Sequence, residues 1–312
     1  MQQQMMQQQM MQRQMMQRQM MVWMAKRTMW QKQMRRMILL ALPWLLQSTS
    51  AHAWGLYTHV FFAQWLVWGV PFLDGELRRA VARYPKLVMA GACLPDLALV
   101  GRLVRTDAFD RNHCWDNARL LLASAETDAE RALAVGFYSH LFADVVAHHH
   151  FVPAHERLWV DWPMVAHAAS EWAMDAHVSR QVLMAPAVLL HGAQAEVAPW
   201  LARHYGLSVQ QVVDAMRWLA NADALLRTSR LSQGLYVTLL QTDSRARQRF
   251  DYFLRETHAR FAGINRVLAG ELPQPDANGG CARVAQYRLS AFSDAQLRLG
   301  QPLPVDCFYK PV

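Results

Sequence analysis

The sequence predicts an all-α fold: one helical domain followed by a less regular tail. Three observations carry this. Apolar residues recur at helical spacing through most of residues 54–270, strand-like alternation is scarce, and no long Gly/Ser- or Pro-rich linker divides the stretch. A composition of 53% apolar residues, with 18% charged, also excludes a disordered or collagen-like chain of 312 residues.

Taken in order, residues 1–24 are a Met/Gln tract with occasional Arg, a low-complexity segment with no mixed apolar pattern to pack as a core. It reads either as an over-extended translation start, with Met24, Met29 and Met34 as candidate later starts, or as a disordered tail. Residues 25–53 then read as a signal peptide. Lys32, Arg35 and Arg36 precede the apolar run Met37 to Leu46, and the polar QSTS leads to Ala51-His52-Ala53. That run is shorter than the roughly 20 residues that span a bilayer, so cleavage after Ala53 is expected and an uncleaved anchor is the alternative. Trp54 would become the N-terminus, and the protein would be secreted or periplasmic.

Helical periodicity follows through Tyr57 to Trp68, Glu76 to Ala82, Asp128 to His148, Trp162 to Met184, Val209 to Leu225 and Leu235 to Leu268. Pro71 and Asp74-Gly75 mark a turn between the first two helices. Residues 271–312 form the less regular tail, with a short strand or hairpin expected at Cys281 to Leu289. The aromatic residues Phe61, Phe62, Trp65 and Trp68 read as core, and the Arg-rich stretch Leu225 to Phe250 as a solvated face.

Charge is unevenly placed. The whole chain has 32 basic and 24 acidic residues, but seven basic and no acidic residues precede Trp54. What remains is nearly neutral, which removes any compositional argument for a nucleic-acid surface. Four cysteines in an oxidising compartment can pair in three ways. Sequential pairing, Cys93 with Cys114 and Cys281 with Cys307, is the expectation, the second bridge stapling the tail.

The chemistry-bearing residues lie in GFYSHLFADVVAHHH, where His140 and Asp144 stand four apart and share a helical face. His167 and Glu171 repeat that spacing on the next predicted helix. Such groups among Phe142, Val145 and Val146 are costly to bury unless paired or bound to metal. Further donors are His59, Asp96 in LPD, His113 and His150. In a continuous helix His148 faces with His140 and Asp144, which makes it the alternative to His150. His149, His155, His177, His191, His204 and His258 read as surface or packing residues. No Gly-rich phosphate loop or GxSxG elbow is present.

Through WGLYTH, LPD, His113, HLFAD, His150 and HAASE, the chain resembles the zinc-dependent phospholipase C family, which shares its helical fold with the single-strand-specific zinc nucleases. The resemblance implies three zinc ions. One would be held by Asp96, His113, His140 and Asp144, and a second by the bridging Asp144, His59 and the α-amino and carbonyl groups of Trp54. The third would be held by His150, His167 and Glu171. It also implies a phospholipid or other phosphodiester substrate, transient contact with a membrane surface, no stable nucleic-acid partner, and Asp96 as the residue that orients or deprotonates the attacking water.

Three departures bear on these expectations. VVAHH replaces the Gln-Pro stretch usual after the bridging Asp. Tyr57 and Leu97 stand where choline-preferring members carry an acidic residue and an aromatic. The short step from Trp54 to His59 is closer to the nucleases. A zinc nuclease and a non-catalytic zinc-binding envelope protein are therefore the rival readings.

Overall fold

A computed structural model describes residues 55–72, 74–152, 154–155 and 163–271. The leader, Trp54, Cys281, Cys307 and the expected strand after Cys281 lie outside the described residues. The all-α expectation holds: no strand occurs among the described residues.

The helices are α1 (Leu56–Gly69), α2 (Gly75–Arg83), α3 (Pro85–Gly91), α4 (Trp115–Ala123), α5 (Asp128–Val146), α6 (Pro163–Val178), α7 (Pro186–Gly192), α8 (Gln194–Tyr205), α9 (Val209–Thr228), α10 (Leu231–Thr242), α11 (Ala246–Phe261) and α12 (Ile264–Leu268). Three 3₁₀ turns, Pro95–Leu99, Gly101–Val104 and Ala108–Arg111, join α3 to α4. No described helix is long and apolar enough to cross a membrane.

Helix α5 is the centre of the molecule. From Ala132 to Val146 nearly every side chain is buried, the pattern of a helix enclosed on all faces. It packs against α1, α2, α3, α4 and α8, with α11 and α12 closing the remaining side. A capping box starts it: Thr127 Oγ1 accepts from the Glu130 amide at 3.2 Å, and Glu130 Oε2 accepts from the Thr127 amide at 3.1 Å. Ser208 and Gln211 start α9 in the same way, and Asp74 caps α2 by accepting from the Leu77 amide.

The contact of α5 with α3 is backbone to backbone. A Cβ added to Gly136 would stand 2.0 Å from the Val88 carbonyl oxygen, and one added to Gly91 would stand 2.2 Å from that of Leu133. Only glycine permits this approach.

Beyond Val146 the chain widens into a π turn over Ala147–Phe151, a geometry often found where an α-helix carries function. The helix expected to run to His148 thus continues, with altered pitch.

Several expectations are corrected. Helix α6 ends at Val178 rather than Met184. The run expected from Leu235 to Leu268 is three helices, broken at Asp243, whose backbone is extended and whose carboxylate accepts from the Arg245 amide. Cys93 makes no bridge to Cys114. It is a buried free thiol that donates to the Met89 carbonyl at 3.7 Å. Trp68 is 61% exposed rather than core. The Arg-rich stretch is not wholly solvated, because Arg227 pairs with Asp175 and Arg249 with Asp243 inside the fold.

Candidate metal centre

Four segments deliver side chains to one buried place beside α5. His59 comes from the first turn of α1 and Asp96 from the 3₁₀ turn after α3. His113 lies just before α4, while His140 and Asp144 occupy successive turns of α5. All five are buried.

Asp144 divides its two oxygens between neighbours. Oδ1 lies 3.2 Å from His59 Nε2, and Oδ2 lies 3.1 Å from His140 Nε2 and 3.6 Å from His113 Nε2. Asp96 Oδ1 is 3.6 Å from His113 Nε2 and 3.8 Å from His140 Nε2. The His113 and His140 Nε2 atoms are 3.2 Å apart, and the His59 ring stacks on His140 at 3.5 Å. Nε2 of His140 is aimed inward because its Nδ1 bonds to the Ala92 carbonyl at 2.8 Å, as the second nitrogen of a metal-binding imidazole does.

A zinc ion with donors at about 2.0–2.1 Å in a tetrahedron sets those donors about 3.3 Å apart. The distances above match that spacing. Both oxygens of Asp144 and both ring nitrogens of His59 are fully buried without a well-formed hydrogen bond, an arrangement that is costly unless a cation completes it. Imidazole and carboxylate are also the donor types zinc prefers. Two overlapping triads, His59-Asp96-His140 and His113-His140-Asp144, each bring their donor atoms within 4.8 Å of one another. The residues present fit the ion.

Electrostatics agree with a cation-seeking centre. Burial opposes ionising Asp144, yet His140 and His59 hold its carboxyl well below the usual range. Burial pushes His59 down, helped by His140. For His140 burial is outweighed by Asp144 and Asp96, and its pKa rises.

A second group stands beside the first. His167 Nε2 lies 2.6 Å from Glu171 Oε1, and the His148 ring lies 5.6 Å from that of His167. Burial drives the pKa of His148 well down, and its charged neighbours are Asp144, His167, His113 and His149. Burial also raises Glu171 to about 7, with Asp96 and Asp144 adding to the rise. His150 is also buried, with His149 and Arg260 among its charged neighbours. The structure thus places the His148 ring, the alternative to His150 in the sequence, near His167. Trp54 lies outside the described residues.

Among the remaining histidines, His155 is buried against Phe151 and Phe250. His258 packs on Trp65, and His177 bonds Tyr236 and Asp251; both are packing roles.

Sequence reasoning missed the scaffold that holds the His113 loop. Asn112 Nδ2 donates to the carbonyls of Leu94 and Pro95, tying that loop to the Asp96 turn. Tyr205 donates to Asn112 Oδ1 at 2.6 Å and accepts from Asn117 at 2.8 Å. The adjacency of Asn112 to His113 was the only local signal.

Fold and site together define a helical protein with a buried imidazole and carboxylate cluster able to hold metal. A family model for zinc-dependent phospholipase C matches residues 58–213, half of the chain, and the protein belongs to that family. No curated protein and no solved structure shows significant similarity to it.

Proposed function

We propose that this chain is an exported zinc-dependent phosphodiesterase of phospholipase C type, hydrolysing phospholipids to diacylglycerol and a phosphorylated headgroup. The observation that carries the reading is Asp144, with one oxygen toward His59 and the other toward His140 and His113. One carboxylate so shared suits two neighbouring ions. Asp96, His113, His140 and Asp144 would hold one zinc, Asp144 and His59 with Trp54 a second, and His148, His167 and Glu171 a third.

Bound zinc supplies positive charge to the phosphoryl oxygens and the leaving alkoxide, and acidifies a water. Asp96 accepts a proton from the attacking water as the new oxygen–phosphorus bond forms. The bond between phosphorus and the glycerol oxygen breaks, and that oxygen takes a proton from solvent to leave as diacylglycerol, while Asp96 returns its proton to solvent. His140, fixed through Ala92, keeps its Nε2 on the centre throughout.

The test is substrate comparison with protein purified from the exported fraction. Release of diacylglycerol from phospholipid, lost on zinc chelation and in Asp144→Asn, is expected. The short step from Trp54 to His59 favours a second reading, a single-strand nuclease, which predicts mononucleotide release instead. Full zinc occupancy with no turnover of either substrate would leave a non-catalytic zinc-binding protein.

A further inference from the structure

We propose that Asp175 is a positioning residue for this centre: from α6 it caps the helix that carries His59, and so locks His59 in register with His167 and Glu171. The inference rests on the zinc-site reading above and adds to it a residue outside the donor set.

The first turn of a helix leaves amides without internal partners, and an N-cap side chain ordinarily satisfies them. Helix α1 has Gly55 at that position and therefore no side chain to use. The cap is supplied from 117 residues away. Asp175 Oδ1 accepts from the Thr58 amide at 2.9 Å and from Thr58 Oγ1 at 2.7 Å, and Oδ2 accepts from the Tyr57 amide at 3.3 Å. Glycine is what lets the carboxylate in, since a Cβ on Gly55 would lie 2.2 Å from Asp175 Oδ2.

Asp175 is itself held. Arg227 of α9 donates to Oδ2 through Nη2, while its Nε reaches Asp223 Oδ1 at 3.3 Å and its guanidinium lies over the Tyr57 ring at 4.6 Å. The carboxylate is fully buried.

Stability alone does not call for this arrangement. Buried ion pairs recover their desolvation cost poorly, and apolar packing holds helices together as well. A Ser or Asp at the N-cap would satisfy the same amides locally. What a cap from another helix adds is register. His167, Glu171 and Asp175 follow at steps of four along one face of α6, so one helix presents two zinc donors and the anchor of a third. His59 follows Thr58 directly. Groups bonded directly to a metal ligand alter affinity roughly 10–100-fold when removed; Asp175 acts one residue away, through the backbone of Thr58, which sets its effect at the lower end of that range.

The test compares Asp175→Asn and Thr58→Val with His140→Ala and with Leu201→Ala, a buried apolar residue serving as control for lost stability alone. Zinc per chain and zinc affinity are measured by chelator competition on the protein purified from the exported fraction, with urea unfolding alongside. Asp175→Asn is expected to weaken zinc binding 10-fold or more, and Thr58→Val several-fold. Leu201→Ala is expected to lose stability and keep its zinc. Should Asp175→Asn lose its fold, Thr58→Val decides, because it removes a single hydrogen bond. Wild-type affinity in that variant, or a loss in Leu201→Ala matching that in Asp175→Asn, overturns the proposal. Unchanged zinc in His140→Ala would instead overturn the site reading beneath it.

Discussion

Gly136→Ala sets two physical effects against each other. Alanine in a helix interior is favoured over glycine by about 1 kcal/mol, so propensity alone predicts a more stable protein. Yet the new Cβ would stand 2.0 Å from the Val88 carbonyl oxygen and 2.9 Å from Gly91 Cα, where 3.0 Å is a practical floor. Both obstacles are backbone, so α3 and α5 must part by about 1 Å. Overpacking of this kind costs about 1–3 kcal/mol, and rigid backbone on both sides places it at the upper end. The same displacement stretches the 2.8 Å bond from His140 to the Ala92 carbonyl, losing about another 1 kcal/mol. The net expectation is destabilisation by about 3 kcal/mol, together with weaker zinc binding because His140 loses its orientation. Urea unfolding followed by circular dichroism measures the first effect and chelator competition the second. Gly234→Ala is the control: nothing lies within 4 Å of its Cβ position, so it should gain up to about 1 kcal/mol. Gly136→Ala as stable as Gly234→Ala would refute the close-contact argument.

Other expectations follow from the same structure. Tyr205→Phe strands Asn112 and Asn117 and should cost about 1–3 kcal/mol in urea unfolding, with weaker zinc binding through His113. His148→Ala should lower the zinc content of the purified protein and His150→Ala should not, which elemental analysis decides. His258, stacked on Trp65 at 4.8 Å, has its pKa pushed down to about 4 by burial. It stays neutral in the fold while the unfolded chain takes up a proton near 6.5, so its contribution is present above that value and is lost as pH falls toward 4. The full shift corresponds to about 3 kcal/mol, and about half of that remains after allowing for its partial exposure. His258→Phe should flatten the stability profile between pH 6.5 and 4. Edman sequencing of exported protein should begin at Trp54.

What the sequence disclosed was whatever helical geometry repeats. His140 with Asp144, and His167 with Glu171, were legible because a step of four is local and fixed. The turn at Asp74-Gly75 and the periodic run from Asp128 were legible because their signals are local too. Helices α3 and α7 escaped notice because each has only seven residues, sustained by packing rather than periodicity, and α8 because Pro199 lies inside it. The break at Asp243 is made by a side chain bonding its own backbone, with no proline to announce it. Asp175 shares a face with Glu171, so its place near the centre was open to inference. That it reaches back to Thr58 was not, because such contacts arise only when the helices assemble. The bond from Tyr205 to Asn112 spans 93 positions and is hidden for the same reason. Cys93 shows the converse error: an exported chain suggests bridges, but a thiol buried in the core beside Met89 has no need of one.

The widened turn at Ala147–Phe151 makes the length of the His-rich run as consequential as its composition. Each residue of an α-helix rotates the next by about 100°, so removing one position from this run would swing a different imidazole toward His167 and carry His148 away. Exchanges among these positions alter a single donor. A deletion changes the identity of every donor that follows, which leaves insertions and deletions here far less room than point changes.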